Sequence, residues 1–116
     1  MKKIISLFLV CILLTACSSK FETITSNEAI ELIDNGAIVI DVREVNEFNT
    51  GHIKGAINIP LGKINEIDID KDKTIIVYCA SGVRSMTAVN TLSDMGYTSL
   101  YNLDGGLLNW GFELEE

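Results

Sequence analysis

Short apolar runs alternate along this chain with stretches whose apolar positions recur at helical spacing. Ala37-Ile38-Val39-Ile40 and Thr74-Ile75-Ile76-Val77-Tyr78 are almost uninterrupted, the pattern of strands covered on both faces. Between them lie amphipathic segments. Thr25-Ser26-Asn27-Glu28 has the form of a capping box, in which the threonine hydroxyl and the glutamate carboxylate satisfy reciprocal orphan N–H groups. Ala29, Ile30, Leu32 and Ile33 then share one helix face, and Asn35-Gly36 closes it. Residues 21–24 read as a first strand, 45–49 as a helical turn stopped by Gly51, and 56–59 as a strand closed by Pro60. Residues 61–67 give one or two amphipathic turns. The strand at 74–78 leads to a helix from about Arg84 to Met95, with Ala88, Val89, Leu92 and Met95 on one side and Gly96 at its end. A last strand at 98–103, a short helix at 105–110 and a frayed acidic tail at 113–116 complete the pattern. Strands alternating with helices predict an α/β fold with a parallel sheet.

The ends change the picture. Lys2 and Lys3, then an apolar stretch over 4–14 and the small Ala16, predict an export signal over residues 1–16. The stretch is shorter than the roughly 20 apolar residues of a spanning helix. Leu14-Thr15-Ala16-Cys17 is similar to the bacterial lipobox, which implies cleavage before Cys17 and a lipid on its sulfur. Residues 17–20 then form a lipidated cysteine and tether, and 21–116 a single domain. The expected location is outside the cytoplasm, anchored to the cell membrane or envelope by acyl chains rather than by a span.

Nine basic residues face 16 acidic ones, a net charge of −7 that deepens when Lys2 and Lys3 are removed. Such a surface argues against nucleic acid as a partner and repels anions at long range, so any anion site must be local. Asp68, Asp70 and Asp72 alternate, but no glycine or distal glutamate follows at the spacing of a calcium loop. They read as a solvated loop, and no metal is expected.

Of three cysteines, Cys11 leaves with the signal and Cys17 is lipidated, which leaves Cys79 and no intramolecular disulfide. A lone cysteine is most often a small buried hydrophobe. The setting of this one points elsewhere. It stands where a strand ends and Cys79-Ala80-Ser81-Gly82-Val83-Arg84-Ser85 turns into a helix. Successive N–H groups in such a turn form a nest for an anion. Gly82 removes the steric cost of a positive φ, and the helix start adds partial positive charge. Arg84 is a further cation. These groups would lower the thiol pKa from about 8.5 and hold an open, anionic sulfur, a nucleophile for covalent catalysis.

Three motifs carry a resemblance. Asp41-Val42-Arg43-Glu44, Glu47-Phe48 and Gly51-His52-Ile53-Lys54-Gly55-Ala56-Ile57-Asn58-Ile59-Pro60 form an upstream signature. The six-residue loop from Cys79 to Arg84 is the second, and Gly105-Gly106 with Trp110 the third. Together they resemble a single-domain rhodanese, a sulfurtransferase family. The resemblance implies a five-stranded parallel sheet flanked by helices on both faces, a cysteine persulfide intermediate, and no cofactor. It implies a monomer that takes sulfur from a small donor anion such as thiosulfate and passes it to a thiol or cyanide. Cys79 matches the sulfur carrier, and Ala80, Ser81, Gly82, Val83 and Arg84 match its cradle. Arg43 matches an arginine that helps bind the donor in some members; the alternative is a salt bridge to Asp41, Glu44 or Glu47. Asp41 is read as fixing loop geometry, His52 as structural rather than a base, and Trp110 as core.

One departure stands out. Many thiosulfate-using members carry a basic residue after the nucleophile, where this chain has Ala80. Two rival functions follow from the same residues. Related phosphatases and arsenate reductases use Cys-x5-Arg, a loop one residue longer than the Cys-x4-Arg found here. A non-catalytic binding module of this family usually lacks the cysteine that this chain keeps.

Overall fold

The computed structural model describes residues 20–116. The signal expected over 1–16 and the lipidation expected at Cys17 fall outside the described residues. Seven strands are present among them: β1 (Glu22–Ile24), β2 (Ile38–Asp41), β3 (His52–Ile53), β4 (Ile57–Asn58), β5 (Thr74–Tyr78), β6 (Ser99–Leu103) and β7 (Leu114–Glu115). Three α-helices accompany them: α1 (Ser26–Asp34), α2 (Val45–Asn49) and α3 (Val83–Asp94). Two 3-10 helices span Leu61–Glu66 and Gly106–Asn109.

Five strands form one parallel sheet in the order β1-β6-β5-β2-β4. The expected α/β architecture is present, with helices on both faces. Strand parity explains the layers. Ile75 and Val77 point to one face and pack with Ala88, Val89 and Leu92 of α3. Ile76 and Tyr78 point to the other, with Ala29 of α1 and Ile53. Cys79 continues the first set and joins the α3 cluster. The period of two thus aims its sulfur beneath the start of α3.

The local reasons are those read from the pattern. Thr25 Oγ1 accepts from the Glu28 amide and Glu28 Oε1 from the Thr25 amide, so the capping box is complete. Residues 61–67 resolve into a six-residue 3-10 helix. The acidic tail differs from expectation. Leu114–Glu115 does not fray but pairs antiparallel with His52–Ile53 as a small second sheet. Glu115 Oε1 also accepts from the Gly55 amide at 2.9 Å. These contacts cross 60 or more positions of sequence, beyond the reach of any local pattern.

The connection leaving β2 runs outward to β4, and the one leaving β5 runs the opposite way to β6. A crevice therefore opens between the carboxyl ends of β2 and β5, the place where parallel α/β sheets bind ligands. Asp41 ends one of these strands and Cys79 follows the other.

Candidate active site

Cys79 Sγ sits at the centre of the turn between β5 and α3. The Gly82 amide donates to it at 3.0 Å and the Ser85 amide at 3.4 Å. Ser85 Oγ lies 3.5 Å away. Gly82 adopts φ +105°, the left-handed conformation that turns its N–H inward and starts α3. Burial pushes the thiol pKa up. The hydroxyl of Ser85 and the amides of Ser85, Gly82 and Ser81 outweigh it, and the thiol lies below its ordinary value.

Two features differ from the sequence reading. The sulfur has the amides expected around it but is not open, since Cys79 is only 1% exposed. It is packed in the core cluster that holds Ala88, Val89 and Leu92 of α3. Ser85, with no role assigned from the sequence, is the second addition. It is fully buried and supplies both an amide and a hydroxyl to the sulfur. A small polar residue in the first turn of a helix, on the face that carries Ala88, was the available signal.

The Gly105-Gly106 segment has a defined task. The Leu107 amide donates to the Cys79 carbonyl at 2.9 Å, and the Leu108 amide to the Ala80 carbonyl at 3.0 Å. Tying both carbonyls to this neighbouring segment leaves the N–H groups of the loop free to face the sulfur. Gly106 has φ +58°, and a Cβ there would stand 2.4 Å from the Cys79 carbonyl oxygen. Only glycine fits.

The two arginines of the chain are both engaged. Arg43 is buried, and its guanidinium bonds Asp41 at 2.8 to 3.1 Å and the Gly51 carbonyl at 2.7 Å. Of the alternatives for Arg43, the ion pair with Asp41 is the one that forms. Only 6% of the Arg43 side chain is exposed. Asp41 also accepts from the Arg43 amide at 2.8 Å, so it fixes the turn after β2 as expected. Arg84 Nη1 and Nη2 bond the two carboxylate oxygens of Glu47 at 2.8 and 3.1 Å. That fork, aided by the Glu44 amide, holds the Glu47 carboxyl down to about 2. Arg84 is raised in turn, chiefly by Glu47 and less by the Cys79 thiolate. The sequence reading offered Glu47 to Arg43; the structure gives it to Arg84, across the crevice between β2 and β5.

The remaining cradle residues take distinct places. Ala80 and Gly82 are half-buried, whereas Ser81 and Val83 are exposed. His52 donates from Nδ1 to the Phe48 carbonyl at 2.9 Å and stacks on the Phe48 ring at 3.7 Å. Its Nε2 lies 3.5 Å from Glu115, in keeping with a structural histidine. Trp110 packs against the core cluster of Ile24, Ile53 and Tyr78.

Comparison with known proteins agrees with this geometry. The model of the rhodanese-like domain matches residues 25–113. An uncharacterized Bacillus subtilis protein, YqhL, is 47% identical over 81 residues; the match covers 68% of this chain and 64% of that protein. The thiosulfate sulfurtransferase GlpE of Shewanella oneidensis is 30% identical over 95 residues, covering 79% of this chain and 94% of that one. The crystal structure of a rhodanese-related protein from Thermoplasma volcanium superposes with a TM-score of 0.74 at 33% identity, covering 81% and 97% of the two chains. The fold, the cysteine loop and these matches together show that the chain belongs to the rhodanese-like domain family.

Proposed function

We propose that the protein is a sulfurtransferase that carries sulfane sulfur on Cys79 from a donor to a thiol or cyanide acceptor. The observation that carries this reading is the convergence of the Gly82 and Ser85 amides on Sγ, with the Ser85 hydroxyl beside them. In the first half-reaction the Cys79 thiolate attacks the outer sulfur of the donor. The donor S–S bond breaks, and its electron pair leaves on the remainder, as sulfite from thiosulfate or as a thiolate from a persulfide. Cys79 then bears a terminal persulfide, whose charge the same amides stabilise. In the second half-reaction the acceptor attacks that terminal sulfur, and the Cys79 thiolate departs. One sulfur atom moves, with no external oxidant or reductant. No base is needed when the nucleophile is already ionised.

The amide ring also argues against phosphatase chemistry, because Arg84 falls one residue short of the longer loop and is paired with Glu47. The test is mass spectrometry of the protein after treatment with a sulfane-sulfur donor. A gain of about 32 Da on Cys79, discharged by cyanide, is expected from thiolate attack on sulfane sulfur. Cys79→Ser gains nothing. Absence of the adduct with every donor class overturns the reading. We also propose that Cys17 carries the lipid that holds the domain at a membrane surface; Cys17→Ser should release the protein from the membrane fraction.

A further inference from the structure

We infer that Glu47 sets the donor class by neutralising Arg84, and that the donor is a small thiol persulfide rather than a sulfonate dianion such as thiosulfate. The inference rests on the sulfurtransferase reading and deepens it. A dianionic donor must leave as a dianion, so it needs a cation at the mouth of the cradle. Neither arginine is available. Arg43 is buried on Asp41 and Gly51. Arg84 is half-exposed, but both terminal nitrogens are held by the carboxylate of Glu47. The residue after the nucleophile is Ala80, which adds no charge. What remains positive is the set of amide dipoles, already committed to one sulfur.

The rim supports the same conclusion. Val83 in the loop is 73% exposed. Leu108, whose amide bonds the Ala80 carbonyl, is 78% exposed. These apolar side chains stand on the Cys79 loop and on the segment bonded to it, and neither offers a donor to a sulfonate. The net charge of −7 repels a dianion more than a neutral or singly charged donor. A persulfide avoids both penalties. Cys79 attacks its outer sulfur, the S–S bond breaks, and the electron pair leaves on a thiolate that water can protonate. The leaving group carries at most one new charge, and it can rest against the apolar rim.

The experiment compares kcat/KM for cysteine persulfide and for thiosulfate, with a common acceptor, in the wild-type chain and two variants. Glu47→Gln frees the Arg84 guanidinium. Ala80→Arg adds a cation that Glu47 does not hold, and it guards against a folding defect in the first. The wild type is expected to prefer the persulfide by at least about 100-fold. Each variant is expected to narrow that ratio by about tenfold, the scale of one surface cation meeting a dianion, and high salt should erase the gain. A wild type that uses thiosulfate as well as persulfide overturns the inference. So does a ratio unmoved in both variants. A chain that accepts sulfur from neither donor fails differently, since it removes the sulfurtransferase reading itself.

Discussion

Gly106→Ala should damage the sulfur cradle from outside it. A Cβ at this position would stand 2.4 Å from the Cys79 carbonyl oxygen and 2.8 Å from the carbonyl carbon and oxygen of Ala80. All three are backbone atoms, so the loop must retreat by about 1 Å to reach ordinary contact at 3.4 Å. At φ +58° the alanine also pays about 1 to 2 kcal/mol for the left-handed conformation. Loss of the Leu107 and Leu108 hydrogen bonds removes about 1 kcal/mol each. The expected destabilisation is therefore about 3 kcal/mol, a fall of at least about 1 M in the urea midpoint. The retreat also moves the amides that face Sγ, so the Cys79 thiol should rise toward about 8.5. Gly62→Ala, built into open space in the 3-10 helix Leu61–Glu66, serves as the control. Equilibrium unfolding and the pH dependence of Cys79 alkylation read the two effects. A Gly106→Ala chain that matches the Gly62→Ala chain in both would refute the argument that this glycine shapes the cradle.

Other outcomes follow from the same contacts. Ser85→Ala removes a buried hydroxyl beside Sγ, so the thiolate limb of the pH–rate profile should shift to higher pH, with activity recovering as pH rises. An unchanged profile would deny Ser85 its part. Asp41→Asn leaves the buried Arg43 without its counter-charge, and stability should fall by about 3 to 5 kcal/mol in chemical denaturation. A loss near zero would mean that the pair is not needed. Glu47, held low by Arg84 and the Glu44 amide, stabilises the fold fully above its ordinary value of 4.5 and loses that contribution as pH falls toward about 2. A carboxyl NMR titration should find its midpoint at the bottom of that window, and Arg84→Gln should return it toward 4.5.

The parts legible in the sequence are those governed by local periodicity. The apolar runs at 37–40 and 74–78 become β2 and β5 because buried parallel strands need apolar residues on both faces. The same parity placed Cys79 at the start of α3, and the glycine at 82 announced the turn. The parts that escaped are set by contacts between distant positions. Nothing near Arg84 shows that Glu47, 37 positions earlier, will hold it. Nothing in a tail of acidic residues shows that Glu115 will bond Gly55. The tie on the Cys79 and Ala80 carbonyls is illegible for the same reason, because the segment that bonds them begins some 27 positions later. The sequence displays the candidate nucleophile and its loop; the charge balance around them is a property of packing.

Sulfur transfer through Cys79 requires that its thiol be ionised near neutral pH. Titration of the intact domain by thiolate absorbance, with Cys79→Ser as the blank, measures this directly. A midpoint well below about 8.5, the value of a free cysteine, is the predicted result. A midpoint at or above that value would mean that burial prevails over the Ser85 hydroxyl and the loop amides, and that the sulfur is packing rather than a nucleophile.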